Sequence, residues 1–241
     1  MAATRIPATV AALIKKTWPG GVIEEFDTGE SDFREIQAKL ERDLRKIRGA
    51  SLRWQTEPEE PVYGDDDYDD EPPLDREFQS YHVFFVVPDG DEFRYETEGE
   101  TVEPPEDPEE EWIEATVPGE GLIGCAAAVC LAAPVAVVGF SDRSQYEDGT
   151  SAGADINQCI VSDKSGERVT PEAYYRSQLS PEAFKKLESL RAKIVAVLQK
   201  HRLAVLDESI LDLPVRGLKA IEEVCVEKPI RVRDAFFFRG M

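Results

Sequence analysis

Apolar residues recur at helical spacing in three stretches of the chain and at strand spacing in several others. Between Pro7 and Trp18, the residues Val10, Leu13, Ile14 and Trp18 share one face, and Pro19-Gly20-Gly21 ends the run. A helix with proline in its first turn is predicted there. Val22 to Phe26 reads as a short strand. Asp32 offers a cap with Glu35 three residues on, and Phe33, Ile36, Leu40, Leu44 and Ile47 form one stripe that stops at Gly49. That pattern predicts a second helix. Ser51 to Gln55 reads as a strand. Phe78–Val87 and Phe93–Glu98 flank Pro88-Asp89-Gly90-Asp91, where proline fixes φ and glycine accepts a positive one. The expectation is a β-hairpin, followed by a strand at Trp112–Val117.

Leu122 to Phe140 contains no charged residue. A membrane span needs about 20 apolar residues, which this run approaches. It is rich in Ala and Gly, Pro134 interrupts it, and no basic cluster lies just beyond either end to orient it. Two buried elements divided near Ala132-Ala133-Pro134 fit better, their small residues implying close backbone approach. Asn157–Val161 reads as a strand, with a turn at Asp163-Lys164-Ser165-Gly166. Thr170-Pro171-Glu172 and Ser180-Pro181-Glu182 each combine a capping hydroxyl, a first-position proline and an early acid, and so predict helix starts. The second helix runs to about Lys200, with Phe184, Leu187, Leu190, Ile194 and Val197 on one face and Lys200, His201 and Arg202 at its negative end. Glu223–Val226 and Ile230–Phe238 read as closing strands, with Phe236, Phe237 and Phe238 turned inward, because three exposed phenylalanines would invite aggregation.

The fold class expected is α+β. A mostly antiparallel central sheet forms a hairpin or meander over about 78–117, with helices near the N-terminus and at about 181–200 and strands at the C-terminal end. One domain over 1–241 is expected, with acidic loops at 57–75 and 99–111. A subdivision, if there is one, falls near Pro118.

Charge changes this picture most. Of 49 acidic residues, 25 lie between Glu57 and Glu120, where the basic residues are only Arg76 and Arg94; the rest of the chain holds 24 acidic and 26 basic residues. A nearly neutral body therefore carries one strongly negative segment. Such a field repels nucleic-acid phosphate, so direct DNA or RNA binding is disfavoured, and it accelerates encounter with a cationic partner. Four scattered cysteines form no disulfide framework, and the N-terminus has the wrong charge order for a signal peptide. Both features point to the cytoplasm.

Motifs for chemistry are few. Asp65, Asp67 and Asp69 alternate as in a calcium-binding loop, but its sixth position is Asp70 rather than Gly and its twelfth is Arg76 rather than Glu. A solvated charge run is the better reading. Leu122-Ile123-Gly124-Cys125 spells a lipoprotein box, yet it lies mid-chain without a leader before it. No Cys-x-x-Cys pair occurs, and His82 and His201 are the two histidines that a zinc site could draw on. Cys125 with His82 is the one nucleophile–base combination to test, against the alternative of small core thiols. Phosphate-loop, dinucleotide and serine-elbow patterns are absent. No metal or cofactor is called for.

Three functional readings follow. The first is a non-catalytic module that holds a basic protein, on the physical basis used by bacterial immunity proteins and inhibitors of toxic nucleases. Tyr63, Tyr68 and Trp112, set among Asp65, Asp66, Asp67, Asp69 and Asp70, supply aromatic anchors within the charge. The second is an enzyme, a hydrolase or transferase with a carboxylate-based site in the polar stretch Ser141–Asp155, where Asp142, Arg143, Tyr146, Asp148 and Asp155 follow the core run. The third is a structural or assembly subunit whose acidic segment maintains solubility.

Overall fold

The computed structural model describes residues 5–24, 30–56, 78–103, 113–153, 161–162, 168–222, 224–226 and 228–240. Within them the chain is α+β, built on a seven-stranded, largely antiparallel sheet with five α-helices. In chain order, α1 (Ala8–Thr17) and β1 (Val22–Ile23) precede α2 (Glu30–Leu44) and β2 (Ala50–Gln55). Then come β3 (Phe78–Gln79), β4 (Tyr81–Pro88), β5 (Arg94–Glu103), β6 (Ile113–Cys130), β7 (Val135–Tyr146) and β8 (Ser151–Gly153). β9 (Val161–Ser162) and β10 (Arg168–Val169) lead to α3 (Pro171–Gln178) and α4 (Pro181–Lys200). The chain continues with β11 (Ala204–Leu206), α5 (Glu208–Leu211), β12 (Lys219–Ala220), β13 (Val224–Cys225) and β14 (Arg239–Gly240).

The uncharged run is the middle of the sheet, as its composition predicts. β6 and β7 pair from Gly119–Tyr146 to Val129–Ala136, and the link between them is the bend at residues 131–134. Cys125 through Cys130 and Val135 through Val138 are all buried. Small side chains let a helix lie close. The Cys125 sulfur is 3.9 Å from the Leu187 carbonyl of α4, whose apolar face Phe184, Leu187, Leu190, Ile194 and Leu198 is buried. No helix among the described residues is long and apolar enough to cross a membrane.

The turn at Pro88–Asp91 differs from the expected hairpin. β4 and β5 do not pair with each other; both pair antiparallel with β6, one after the other along its length. Between Val86, opposite Cys125, and Arg94, opposite Leu122, seven residues of the β4–β5 line bulge out against two of β6. Gly90, at φ 135°, and a 3-10 turn at Asp91–Phe93 make the excursion and bury Phe93. A β-carbon on Gly124 would lie 2.4 Å from the Val86 carbonyl, so the crossing requires glycine there. The hairpin strands are β5 and β6, and β5 reaches Glu103, so residues 99–103 of the expected acidic loop are strand. β6 runs through Pro118 and Gly119 without a break.

The starts of α3 and α4 follow their signals, whereas α2 begins at Glu30, two residues before the expected Asp32 cap. The Thr170 and Ser180 hydroxyls accept from the Ala173 and Ala183 amides, with Pro171 and Pro181 next in line. α4 closes with Arg202 at φ 63° and the Leu203 amide bonded back to Leu198, a Schellman ending on a non-glycine residue. Lys200 and His201 then reach Asp43 at 2.8 and 3.1 Å and tie α4 to α2. Leu40, Leu44 and Ile47 are buried as expected, but Ile36 is exposed.

The end of the chain is not a strand over Ile230–Phe238. A 3-10 turn at Arg233–Ala235 replaces it, and all three phenylalanines are buried. Ser80 fastens this segment. Its hydroxyl donates to the Phe236 carbonyl (3.1 Å) and accepts from the Phe238 amide (2.7 Å), while its amide donates to the Phe238 carbonyl. The Trp18 indole of α1 donates to the Ala235 carbonyl at 2.8 Å. Ser80→Ala therefore removes one hydrogen bond from a buried amide and one from a buried carbonyl. We expect it to lower the unfolding free energy by about 2 kcal/mol, measured by chemical denaturation; an unchanged midpoint would refute the assigned role.

Candidate functional site

The stretch Ser141–Asp155, expected as a loop, begins as strand: β7 continues to Tyr146 before a tight turn leads into β8. Asp142, Ser144 and Tyr146 project from one face of the sheet and Arg143 and Gln145 from the other, as strand alternation requires. Opposite them in register on β6 lie Ile123, Gly121 and Gly119, and opposite Gly121 on β5 lies Tyr95.

Asp142 is the centre of this end of the sheet. Tyr95 and Tyr175 each donate a hydroxyl hydrogen bond to it, both 2.6 Å long, to different carboxylate oxygens. Tyr175 comes from α3, is buried, and meets Tyr174 edge to face at 5.1 Å between ring centroids. Burial raises the pKa of both bonded phenols above the ordinary value near 10, and the Asp142 carboxylate adds to the rise. The carboxylate thus fixes helix to sheet, with both oxygens occupied by donors of the same chain.

Glycines on β6 make room for the rings. A β-carbon on Gly121 would sit 2.1 Å from the Tyr95 ring, and one on Gly119 would sit 2.6 Å from the Tyr146 ring. Tyr146 also covers Gly99 of β5. Aromatic rings thus cover the bare backbone of three glycines on neighbouring strands. On the other face, the Arg143 guanidinium stacks 3.9 Å from the Trp54 ring centroid and donates to Ser151. Asp148 is a turn residue: its carboxylate accepts from the Thr150 amide and hydroxyl at 2.8 and 2.6 Å, and those bonds hold its pKa below the usual carboxylate range. The structure thus gathers Asp142, Arg143, Tyr146 and Asp148 into one strand and turn but gives each a separate structural contact. Asp155 lies outside the described residues, as do Tyr63, Asp65, Asp66, Asp67, Tyr68, Asp69, Asp70 and Trp112.

Beside Tyr146 opens a cleft of about 930 Å³, lined by Glu96, Thr97, Glu98, Pro118, Gly119, Glu120, Gln145, Tyr146 and Glu147. Glu96 stands directly opposite Glu120 in the β5–β6 register. Glu96, Glu98, Glu120 and Glu147 are exposed. Arg94 reaches Glu120 at 2.5 Å. Sequence reasoning missed this site, although the alternation of Glu96, Glu98 and Glu100 along one strand was the available signal. Among the described residues, no group of three or more His, Cys, Asp or Glu side chains could hold a metal ion.

The Cys125–His82 combination is not assembled. Val86, not His82, is opposite Cys125, and His82 is opposite Val129, about 13 Å farther along the strand at the usual rise. Burial pushes the Cys125 thiol far up, away from the thiolate a nucleophile needs, and pushes Cys130 up to about 12. His82 is buried, 3.3 Å from the Gln37 amide nitrogen and edge to face with Phe84. Desolvation lowers its pKa to about 4, with Glu41 opposing.

Comparison with known protein families, with curated proteins and with solved structures yields no match.

Two titrations report on these contacts. His82 is neutral in the fold but protonates near 6.5 when unfolded, so its contribution is complete above pH 6.5 and is lost as pH falls toward 4. His82→Gln is expected to flatten that acid limb, which spans about 3 kcal/mol at most; an unchanged limb would count against a buried neutral imidazole. For Tyr175 the fold retains the proton that the unfolded chain loses near pH 10, so stability is complete below pH 10 and declines above it. Tyr175→Phe is expected to cost about 2 kcal/mol at neutral pH and to have a shallower alkaline decline than the parent; parallel declines would oppose the Asp142 contact.

Proposed function

We propose that this chain is a non-catalytic binding protein that captures a cationic protein partner on the acidic end of its sheet. One observation carries the reading: Glu96 and Glu120 occupy directly opposed cross-strand positions, with Glu98 and Glu147 lining the same cleft. Like charges so placed cost stability, and Arg94 pairs with Glu120 of the two. A surface that serves solubility alone mixes its signs. Concentrated carboxylates raise the association rate with a basic surface, and the desolvated contacts that follow set the off-rate.

Pro118, Gln145 and Tyr146 also line the cleft. Tyr63, Tyr68 and Trp112, among Asp65, Asp66, Asp67, Asp69 and Asp70, belong to the proposal as further contacts by residue type. Buried free thiols at Cys125 and Cys130 support a reducing, cytoplasmic setting. The negative field argues against phosphate-rich ligands. The enzyme reading has less in its favour, since the carboxylate it would use, Asp142, has each oxygen bonded to a tyrosine of the chain itself.

The test uses decalysine and calorimetry at low and high salt. A variant with Glu96→Gln, Glu98→Gln and Glu120→Gln is compared with a charge-matched control, Glu24→Gln, Glu182→Gln and Glu222→Gln. The cleft variant is expected to bind at least about tenfold more weakly than the control and to have a higher denaturation midpoint than the parent, because a repulsive pair is gone. Equal weakening by both variants would mean that no directional face exists.

A further inference from the structure

We infer that the outer edge of β5 is a docking strand for an extended segment of the partner with Lys or Arg at alternate positions; this deepens the acidic-face reading and rests on it. The two long edges of this part of the sheet are treated differently. The outer edge of β7 is covered at Val135–Val138 and again at Arg143–Gln145. β11 pairs with Val135–Val137, Arg191 donates to the Val138 carbonyl at 3.1 Å, and β8 pairs with Arg143–Gln145. β2 covers β4 from Pro88 to Phe84. β5 pairs with β6 over ten residues, from Arg94–Leu122 to Glu103–Ile113, and among the described residues no strand pairs with its other side.

In an antiparallel pair every second residue turns its amide and carbonyl away from the partner strand. β5 therefore presents about five residues' worth of backbone donors and acceptors outward. Proteins blunt such edges with short strands, lysine, proline or bulges. Arg94–Glu103 is long, lacks lysine and proline, and has glutamate at 96, 98, 100 and 103. A second copy of β5 would bring carboxylates against carboxylates, so edge-to-edge self-pairing is opposed. An incoming strand with cations at every second position satisfies both needs. Its backbone completes the ladder, and its charges fall about 5 Å from Glu96 and Glu98, both exposed. Small or β-branched residues between the cations would lie on the side of Tyr95 and Thr97. This is strand addition with charge setting the choice of partner.

The experiment uses the full chain and two decapeptides of alternating lysine and threonine. One is unmodified; the other is N-methylated throughout, with the same charge and side chains but no backbone donors. Binding is read by fluorescence anisotropy at low salt, and amide hydrogen exchange is followed over residues 94–103. The unmodified peptide is expected to bind at least about tenfold tighter, as the loss of even two net backbone hydrogen bonds implies, and to slow exchange in β5. Equal binding of both peptides without protection of β5 would overturn the docking strand while leaving the acidic face intact. If neither peptide binds at low salt, the acidic face fails as well.

Discussion

The close approach of backbone to backbone along β6 is the constraint on which the rest of the structure depends. This strand is the shared partner of β4, β5 and β7, and α4 lies over its second half. A strand with bulky side chains on both faces could not be covered on both sides and still admit a helix carbonyl 3.9 Å from one of its side-chain atoms. Gly119, Gly121, Gly124 and Ala126–Ala128 remove that obstacle. Each missing side chain is replaced by a neighbour: Tyr146 over Gly119, Tyr95 over Gly121, Phe85 near Gly124. The aromatics supply the buried area that the small residues give up, and so the packing is dense although the central strand is slight.

That division of labour explains what could be read from the sequence and what could not. The uncharged run gave its two buried strands and the break between them, because composition alone separates core from surface there. α3 and α4 were legible because their caps are local: a hydroxyl, a proline and an acid within three residues need no tertiary context. The turn at Pro88–Asp91 was misread for the opposite reason. Local chemistry fixes that the chain turns, but whether the flanking strands pair with each other depends on a third strand, β6, and on the Gly124 position that lets the crossing occur. The closing segment failed likewise. Its alternation suggested strand, whereas Ser80 and Trp18, far away in sequence, hold it as a turn with all three rings inward.

The candidate site was legible in chemistry but not in geometry. The sequence points to Asp142, yet its partners Tyr95 and Tyr175 lie 47 and 33 residues away, and no spacing rule links them. What looked like a loop able to host catalysis is a strand whose carboxylate joins helix to sheet. Glu96, Glu98 and Glu120 lie in the negative segment and Glu147 joins them from outside it, but it is the pairing of β5 with β6 that sets Glu96 opposite Glu120. Their position on strands makes them directional, because a strand presents alternate residues to one side at fixed spacing while a loop scatters them.

Edge protection and partner capture are usually opposed demands: a strand made safe against aggregation is also closed to binding. In the proposed docking, acidic residues along β5 would reconcile the two. They leave the backbone groups available but raise the cost of approach for neutral or acidic strands, self-pairing included, and lower it for cationic ones. The opposed pair Glu96–Glu120 then has a physical rationale that stability alone does not give it. Under the proposed docking, a cation on the incoming strand would face Glu96 across the outer edge of β5, while Arg94 holds Glu120 from within the sheet.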